Sequence, residues 1–331
     1  MQCRTRSASF IDPVYEILVK PILTVLFLAG GAFVALAILF ARIRRRRELR
    51  KEEGHRAPVQ EKLLRPPGYS ASQRVEALTD DFVEAGVVVA CLGAGVAASV
   101  LLGGRFLWSW LTADPGSAIR GPIPTLLALV LYVGAFAATL GLAIREGRRL
   151  LRLDEERENW RLGARGEQLV GEALNDPAIL AAGYRIYHDV PGSEGWNIDH
   201  VVVGPGGVYV IETKARSKRP GNDGQPSHEV QYDGQSLRFP HWEDRKTLDQ
   251  VKANVEWLRR WLGDHVSKDL AFHAIVVIPG WFVRANGNYP VKVMNSKYLK
   301  GFLPGQPKTF GPSILNPALS KLEERCRTLE V

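Results

Sequence analysis

The chain has 331 residues, 46% of them hydrophobic, a formal net charge of +8 and three cysteines, Cys3, Cys91 and Cys326. That length allows two domains, and the scattered cysteines leave no basis for a CxxC zinc site or a disulfide scaffold, placing the second half in a reducing compartment. The positive excess is confined to the first half: from Asp154 onward 23 Lys and Arg face 23 Asp and Glu, leaving 20 basic and 12 acidic residues before it. Any nucleic-acid affinity of the second half must therefore come from a local patch and not from its net field.

Three apolar runs lie in the first half. Pro21 to Ala41 carries no charge and is long enough to cross a bilayer as a helix. A cleaved signal peptide is the competing reading, but the basic run Arg42 to Arg47 follows the apolar run, which is a stop-transfer arrangement, so the segment reads as a retained anchor. Ala85 to Leu102 is rich in Gly, Ala and Val, suited to close helix packing in lipid, and Ile123 to Ile144 is the third run, ended by Arg145 to Arg149. Basic clusters at Arg42–Lys51 and Arg145–Arg152 flank the first and third runs, whereas the loop from Gly103 to Pro122 holds only Arg105 and Arg120. The asymmetry predicts a multi-pass protein of the cell membrane with the N-terminus outside, Trp108 and Trp110 at the outer interface, and the C-terminal domain in the cytoplasm. The Arg42–Lys51 cluster is expected to meet anionic headgroups of the bilayer, each basic residue contributing about 1 kcal/mol near the surface. A polar connector is expected within 42–81, from Glu52 with Pro58, Pro66, Pro67 and Gly68.

The second half reads as alternating helices and strands. A helix is expected from Leu150 to Leu174, burying Leu162, Leu169, Val170 and Leu174, and a first strand from Tyr184 to Val190. A hairpin is expected to turn at Asp233-Gly234, and a helix capped by Thr247 to run to Leu262 with Leu248, Val251, Val255, Leu258 and Leu262 as its buried stripe. Ala271 to Ile278 is continuously apolar and β-branched, a buried central strand. Tyr298–Phe302 and a last helix near Leu315–Leu329 read as peripheral packing. His200, His228 and His241 fall at no metal-ligand spacing and read as surface histidines, and His188-Asp189 as a structural strand end.

The chemistry concentrates between Asn197 and Lys214, two β-branched runs joined by Gly204-Pro205-Gly206-Gly207. With those four residues as the loop, Val203 faces Val208 and Asp199 lands opposite Glu212, about 5 Å apart at Cβ. Alternation points Glu212 and Lys214 the same way and turns Thr213 to the other side, giving a carboxylate pair with a lysine on one exposed sheet face. Two readings stand: a site for Mg²⁺ or Mn²⁺, since paired carboxylates otherwise repel, or a solvated cluster of cross-strand charges. Lys214-Ala-Arg-Ser-Lys-Arg219 leaves the strand as a basic patch, offering Arg216, Lys218 and Arg219 as nucleic-acid contacts. Gln250 and Asn254 fall one turn apart on a different face of their helix from the apolar stripe.

Gly163-Ala-Arg-Gly-Glu167, Asn197-Ile-Asp-His-Val-Val-Val-Gly-Pro205 and Gly207-Val-Tyr-Val-Ile-Glu-Thr-Lys214 resemble the nuclease-related domain (NERD) family of the PD-(D/E)xK restriction-endonuclease-like superfamily, over about Arg161 to Pro279. The resemblance implies an α/β restriction-endonuclease-like domain, a central mixed sheet flanked by helices, with a metal-dependent DNA-cleaving core. Asp199, Glu212 and Lys214 take the motif positions, with Glu167 as the acidic residue of the first helix and Gln250 positioning substrate or water. Ile198 stands where the superfamily's proline would be. The expected organisation is a membrane domain over 1–153 with helices near 21–41, 85–102 and 123–144, a nuclease-related domain over 154–305, and a C-terminal helical tail over 306–331. The expected activity is Mg²⁺-dependent endonucleolytic hydrolysis of DNA; the alternatives are a catalytically silent module that binds DNA or a protein partner, and a transporter with a regulatory tail, which the lack of a buried charge in the apolar segments disfavours.

Overall fold

The computed structural model describes residues 63–112, 122–193, 195–218 and 228–329. The apolar run 21–41, the Arg42–Lys51 cluster, Arg219 and the start of the connector lie outside them. The chain divides into two compact units, Met1–His55 with Thr79–Glu155, and Arg56–Leu78 with Glu156–Val331.

The first unit's described part is helical. Helix α1 spans Tyr69–Thr112 and α2 spans Pro122–Leu174, following the two-residue strand β1, Leu63–Leu64. Among the described residues one helix, Tyr69–Arg105, is long and apolar enough to cross a membrane. The expected helix near 85–102 thus starts earlier and runs on to Thr112, so residues 69–81 are not connector and the expected loop does not open at Gly103. The expected helices near 123–144 and 150–174 are one helix, because the intervening Arg145-Glu-Gly-Arg-Arg149 holds a single glycine, which costs about 1 kcal/mol and stops nothing.

The second unit is built on a five-stranded mixed sheet. After the short helix α3 (Pro177–Ala181) come β2 (Arg185–Pro191), β3 (Asn197–Gly204) and β4 (Gly207–Thr213). Strands β5 (Glu229–Tyr232), β6 (Leu237–Arg238) and β7 (Glu243–Asp244) precede helix α4 (Lys246–Leu262). Then follow β8 (Phe272–Val277), β9 (Phe282–Ala285), β10 (Val291–Met294), α5 (Leu299–Phe302), α6 (Pro312–Cys326) and β11 (Arg327–Leu329). The sheet order is β10-β8-β4-β3-β2, with β4, β8 and β10 parallel and the β2-β3-β4 meander antiparallel; β7-β6-β5-β9 form a second sheet.

The valine-rich β3 and β4 are covered on both faces, as continuous apolar strands require. Val201, Val203, Val208 and Val210 face a core shared with α4, α6 and the second sheet, whereas Val202, Tyr209 and Ile211 face Val170 and Leu174 of α2, Ile179 of α3, and Leu299 and Leu303. The expected exposed face is therefore absent: every residue of β4 is buried. Helix α6 is likewise not peripheral, since Leu315, Ala318, Leu322 and Cys326 are core residues and Arg325 donates to the Gly192 carbonyl at 2.6 Å. The expected helix end at Leu329 is instead β11, which pairs with β1.

Residues 63–78 belong with this unit. Arg65 pairs with the buried Asp189 at 2.9 Å, and the Ser70 hydroxyl donates to the same carboxylate at 2.8 Å. On α2 the buried face is made by Ala164, Gly166, Val170, Gly171 and Leu174, while the expected Leu169 is exposed. Two glycines set that face because a Cβ at Gly166 would fall 2.6 Å from the Ala215 Cβ, and one at Gly171 would fall 2.5 Å from the Pro67 ring.

Candidate active site at the end of the central hairpin

The hairpin register decides which side chains meet. Val203 pairs with Val208, Val202 with Tyr209, Val201 with Val210 and His200 with Ile211; Gly204 also pairs with Gly207, so the turn proper is Pro205-Gly206. Glycine is required at 204, where a Cβ would strike the Tyr184 ring, and at 207, whose φ of +120° is left-handed. One step beyond the last paired residues stand Asp199 and Glu212. There the Asp199 carboxylate takes over from the ladder, its Oδ2 accepting the Thr213 N–H at 2.6 Å.

Glu212 is only 2% exposed, and both oxygens are occupied: Oε1 accepts from Lys214 Nζ and Oε2 from Asn254 Nδ2, each at 3.2 Å. Lys214 Nζ also donates to Gln250 Oε1 at 3.3 Å. The amides come from α4, which lies on the face toward which Asp199, Glu212 and Lys214 alternate. Thr247 is not its cap; Asp244 accepts the Thr247 N–H at 3.0 Å and its hydroxyl at 2.8 Å, fixing the start of the helix and thereby the rotation that buries Asn254 and brings the exposed Gln250 to Lys214.

The electrostatics are those of carboxyls crowded away from water. Burial, then the charges of Glu212 and Glu167, hold the Asp199 carboxyl well above its usual range, opposed by the Thr213 N–H and Lys214. Burial also raises Glu212, against the lowering effect of Lys214. Glu167, on α2, is pushed up to about 7 by burial and by the charges of Asp189 and Glu212, with Lys214 opposing. No hydrogen bond or ion pair holds the Glu167 carboxyl among the described residues, and Asp199 keeps Oδ1 without a donor there. Also among them, no three His, Cys, Asp or Glu side chains converge to hold a metal ion.

The expected nucleic-acid contacts are only partly disposed for that role. Arg216 pairs with Asp244 at 3.0 Å and so ties the segment leaving β4 to the start of α4, Lys218 is exposed, and Arg219 lies outside the described residues.

Asn254, expected beside Gln250 on a face away from the apolar stripe, is buried because α4 turns it under the sheet, and one further neighbour escaped the sequence reading. His200 is fully buried, not superficial: its Nδ1 lies 2.8 Å from His188 Nδ1 and its Nε2 lies 3.2 Å from Thr213 Oγ1. Burial lowers His188 to about 4 and, with the His188 charge, holds His200 well below the ordinary range, so the pair is neutral and one ring donates to the other. This pair braces, from the opposite face, the threonine whose N–H holds Asp199.

Residues 162–279, which include all five candidate residues of the site, match the family model described as nuclease-related domain, NERD. No curated protein and no solved structure matches the chain.

Proposed function

We propose that this chain is a membrane-anchored, divalent-metal-dependent deoxyribonuclease that hydrolyses phosphodiester bonds, with its C-terminal unit in the cytoplasm. The observation that carries the reading is the convergence of Asp199, Glu212 and Lys214 at the end of the hairpin, within the residues that match the nuclease-related domain. A solvated surface cluster would leave its carboxyls exposed and in their ordinary range, whereas Glu212 is buried, Asp199 is half-buried, and both are raised.

The donor set suits Mg²⁺ or Mn²⁺. Three mutually repelling carboxyls face one ammonium, all potential ligands are oxygens, and Asp199 Oδ1 and the Glu167 carboxyl lack protein donors among the described residues. Asp199 and Glu212 would hold the ion, with Glu212 giving up Lys214 or Asn254 as partner. Two protein carboxylates with waters and a substrate phosphate form a common Mg²⁺ shell. When bound, the ion supplies charge neutralisation and a more acidic water. Lys214, released from Glu212, would set its ammonium against the phosphate oxygens where negative charge grows. Gln250 would hold that ammonium in place, and Glu167, which titrates near neutrality, would accept the proton of the attacking water.

A second reading has its own support: Glu212 has both oxygens satisfied without an ion, as in a nuclease-like module that only binds. Plasmid DNA incubated with the full chain in detergent and Mg²⁺ separates the two. Metal-dependent nicking by the parent that Lys214→Ala abolishes supports the nuclease; DNA retention in a gel without nicking supports the binding module.

For the membrane, the helix Tyr69–Arg105 supports at least one span. We extend this to the three apolar runs, with the Arg42–Lys51 and Arg145–Arg152 clusters cytoplasmic and the former against anionic headgroups. A cytoplasmic reporter fused after Val331 should be active; activity only from an external reporter overturns this orientation.

A further inference from the structure

The C-terminal ends of the parallel strands β4, β8 and β10 lie along one edge of the sheet. Lys214 follows the first, Gly280-Trp281-Phe282 the second, and Asn295 to Tyr298 the third. That edge, outside the carboxyl ends of parallel strands, is where open α/β sheets take ligands. Two strand spacings separate the ends of β4 and β10, roughly 10 Å.

A pocket of about 470 Å³ opens there. Lys218, Lys297, Phe282 and Tyr298 line it over the buried Trp281 and Asn295. Phe282 is 51% and Tyr298 58% exposed, an unusual state for two neighbouring large rings. The floor is fixed: the Trp281 indole donates to the Arg216 carbonyl at 3.1 Å and Asn295 Nδ2 donates to the Trp281 carbonyl at 2.7 Å, which joins the pocket to the segment leaving the candidate site. Among the described residues no acidic side chain lines it and neither lysine has an acidic partner. The nearest acid, Glu229, pairs across the strands with Phe282 and is taken up by Arg284 at 2.9 Å, and from Ala271 to Leu322 there is no Asp or Glu against Lys292, Lys297, Lys300, Lys308 and Lys321, within a domain that is neutral overall.

Phosphate binding alone would need only the lysines. Exposed rings set among them match a strand whose bases are free to stack, which duplex bases are not. We propose that this pocket binds a single-stranded stretch of DNA, with bases on Phe282 and Tyr298 and phosphates at Lys218 and Lys297, a few nucleotides from the phosphodiester at Asp199 and Glu212. This deepens the nuclease reading and rests on it for the choice of DNA. It makes the preferred substrate a single strand or a frayed end, not intact duplex.

The test is fluorescence anisotropy with the full chain in detergent, in EDTA so that no cleavage occurs, using one oligonucleotide single-stranded and as a blunt duplex. The parent should bind the single strand more tightly. The Phe282→Ala/Tyr298→Ala double variant should lose about tenfold or more in affinity for the single strand while its duplex binding changes by less than about twofold. Lys218→Gln/Lys297→Gln should flatten the slope of log affinity against log salt by about 1.4. All four side chains are exposed, so both variants should melt as the parent does. Equal single-strand binding by the ring variant, duplex binding at least as tight as single-strand binding, or no DNA binding by the parent overturns the proposal. A nicking assay on the same preparations keeps the two readings apart: nicking with unaltered ring-variant binding sinks only the pocket, and pocket-dependent binding without nicking sinks only the nuclease.

Discussion

Asp199 and Glu212 occupy the end of a ladder where backbone pairing gives way to side-chain hydrogen bonds, and that handover is what turns two ordinary carboxylates into a strained pair. The residue with the clearest thermodynamic signature is Glu167. Its folded carboxyl titrates near 7 instead of 4.5, so between those values the folded chain binds more protons than the unfolded one. Stability from this group is therefore full below about pH 4.5 and falls as pH rises through 7, by at most about 3 kcal/mol before allowing for solvent screening of a partly buried group. Denaturation followed by tryptophan fluorescence without metal should show Glu167→Gln gaining stability relative to the parent between about pH 5 and about pH 8; the comparison isolates Glu167 because the lowered His188 and His200 pull the parent's own profile the other way. An identical pH dependence in the two proteins would show that Glu167 is not crowded by its neighbours. At this scale Asp199, Glu212 and Lys214 were legible because strand alternation and turn length fix which residues face each other. His200 was not, since a histidine on a strand covered on both faces looks the same in sequence as one on a strand with a wet face.

At the scale of elements, the site depends on how closely α2 approaches the sheet and on the rotation of α4. Gly166 and Gly171 let α2 pack against Ala215 and Pro67, which holds Glu167 over the strand ends. Gly171→Ala would drive a Cβ to 2.5 Å from Pro67 and 3.4 Å from His188, and at an ordinary helical glycine the same change would stabilise. Here it should destabilise by about 1–3 kcal/mol by overpacking, read as a lower denaturation midpoint. An unchanged or raised midpoint would mean that α2 is not held this close. The stripe Leu248, Val251, Leu258 and Leu262 was readable from periodicity, and with it the rotation of α4. The start of that helix was not, because Asp244 caps it from within a short strand. Leu169 shows the converse: a leucine expected to be buried is exposed because two glycines, not large apolar residues, mark the packed face of α2.

For the whole molecule, composition separated an apolar first half from a mixed α/β second half, but not where the second unit begins. Residues 63–78 read as connector, yet they supply a strand to β11 and Arg65 and Ser70 to Asp189, contacts across more than a hundred residues that no local pattern announces. The joining of the third apolar run to the helix bearing Glu167 was equally hidden, since only the lack of a breaker signals it. The chemistry this architecture hosts turns on the paired carboxyls, and Asp199→Asn separates their charge from their packing. The substitution keeps an acceptor for the Thr213 N–H and removes one of the mutually repelling charges. The full-length parent and variant, side by side with supercoiled plasmid and Mg²⁺, should differ completely in nicking while the variant melts at the parent's temperature or above it. Undiminished metal-dependent nicking by a folded Asp199→Asn chain would contradict the account.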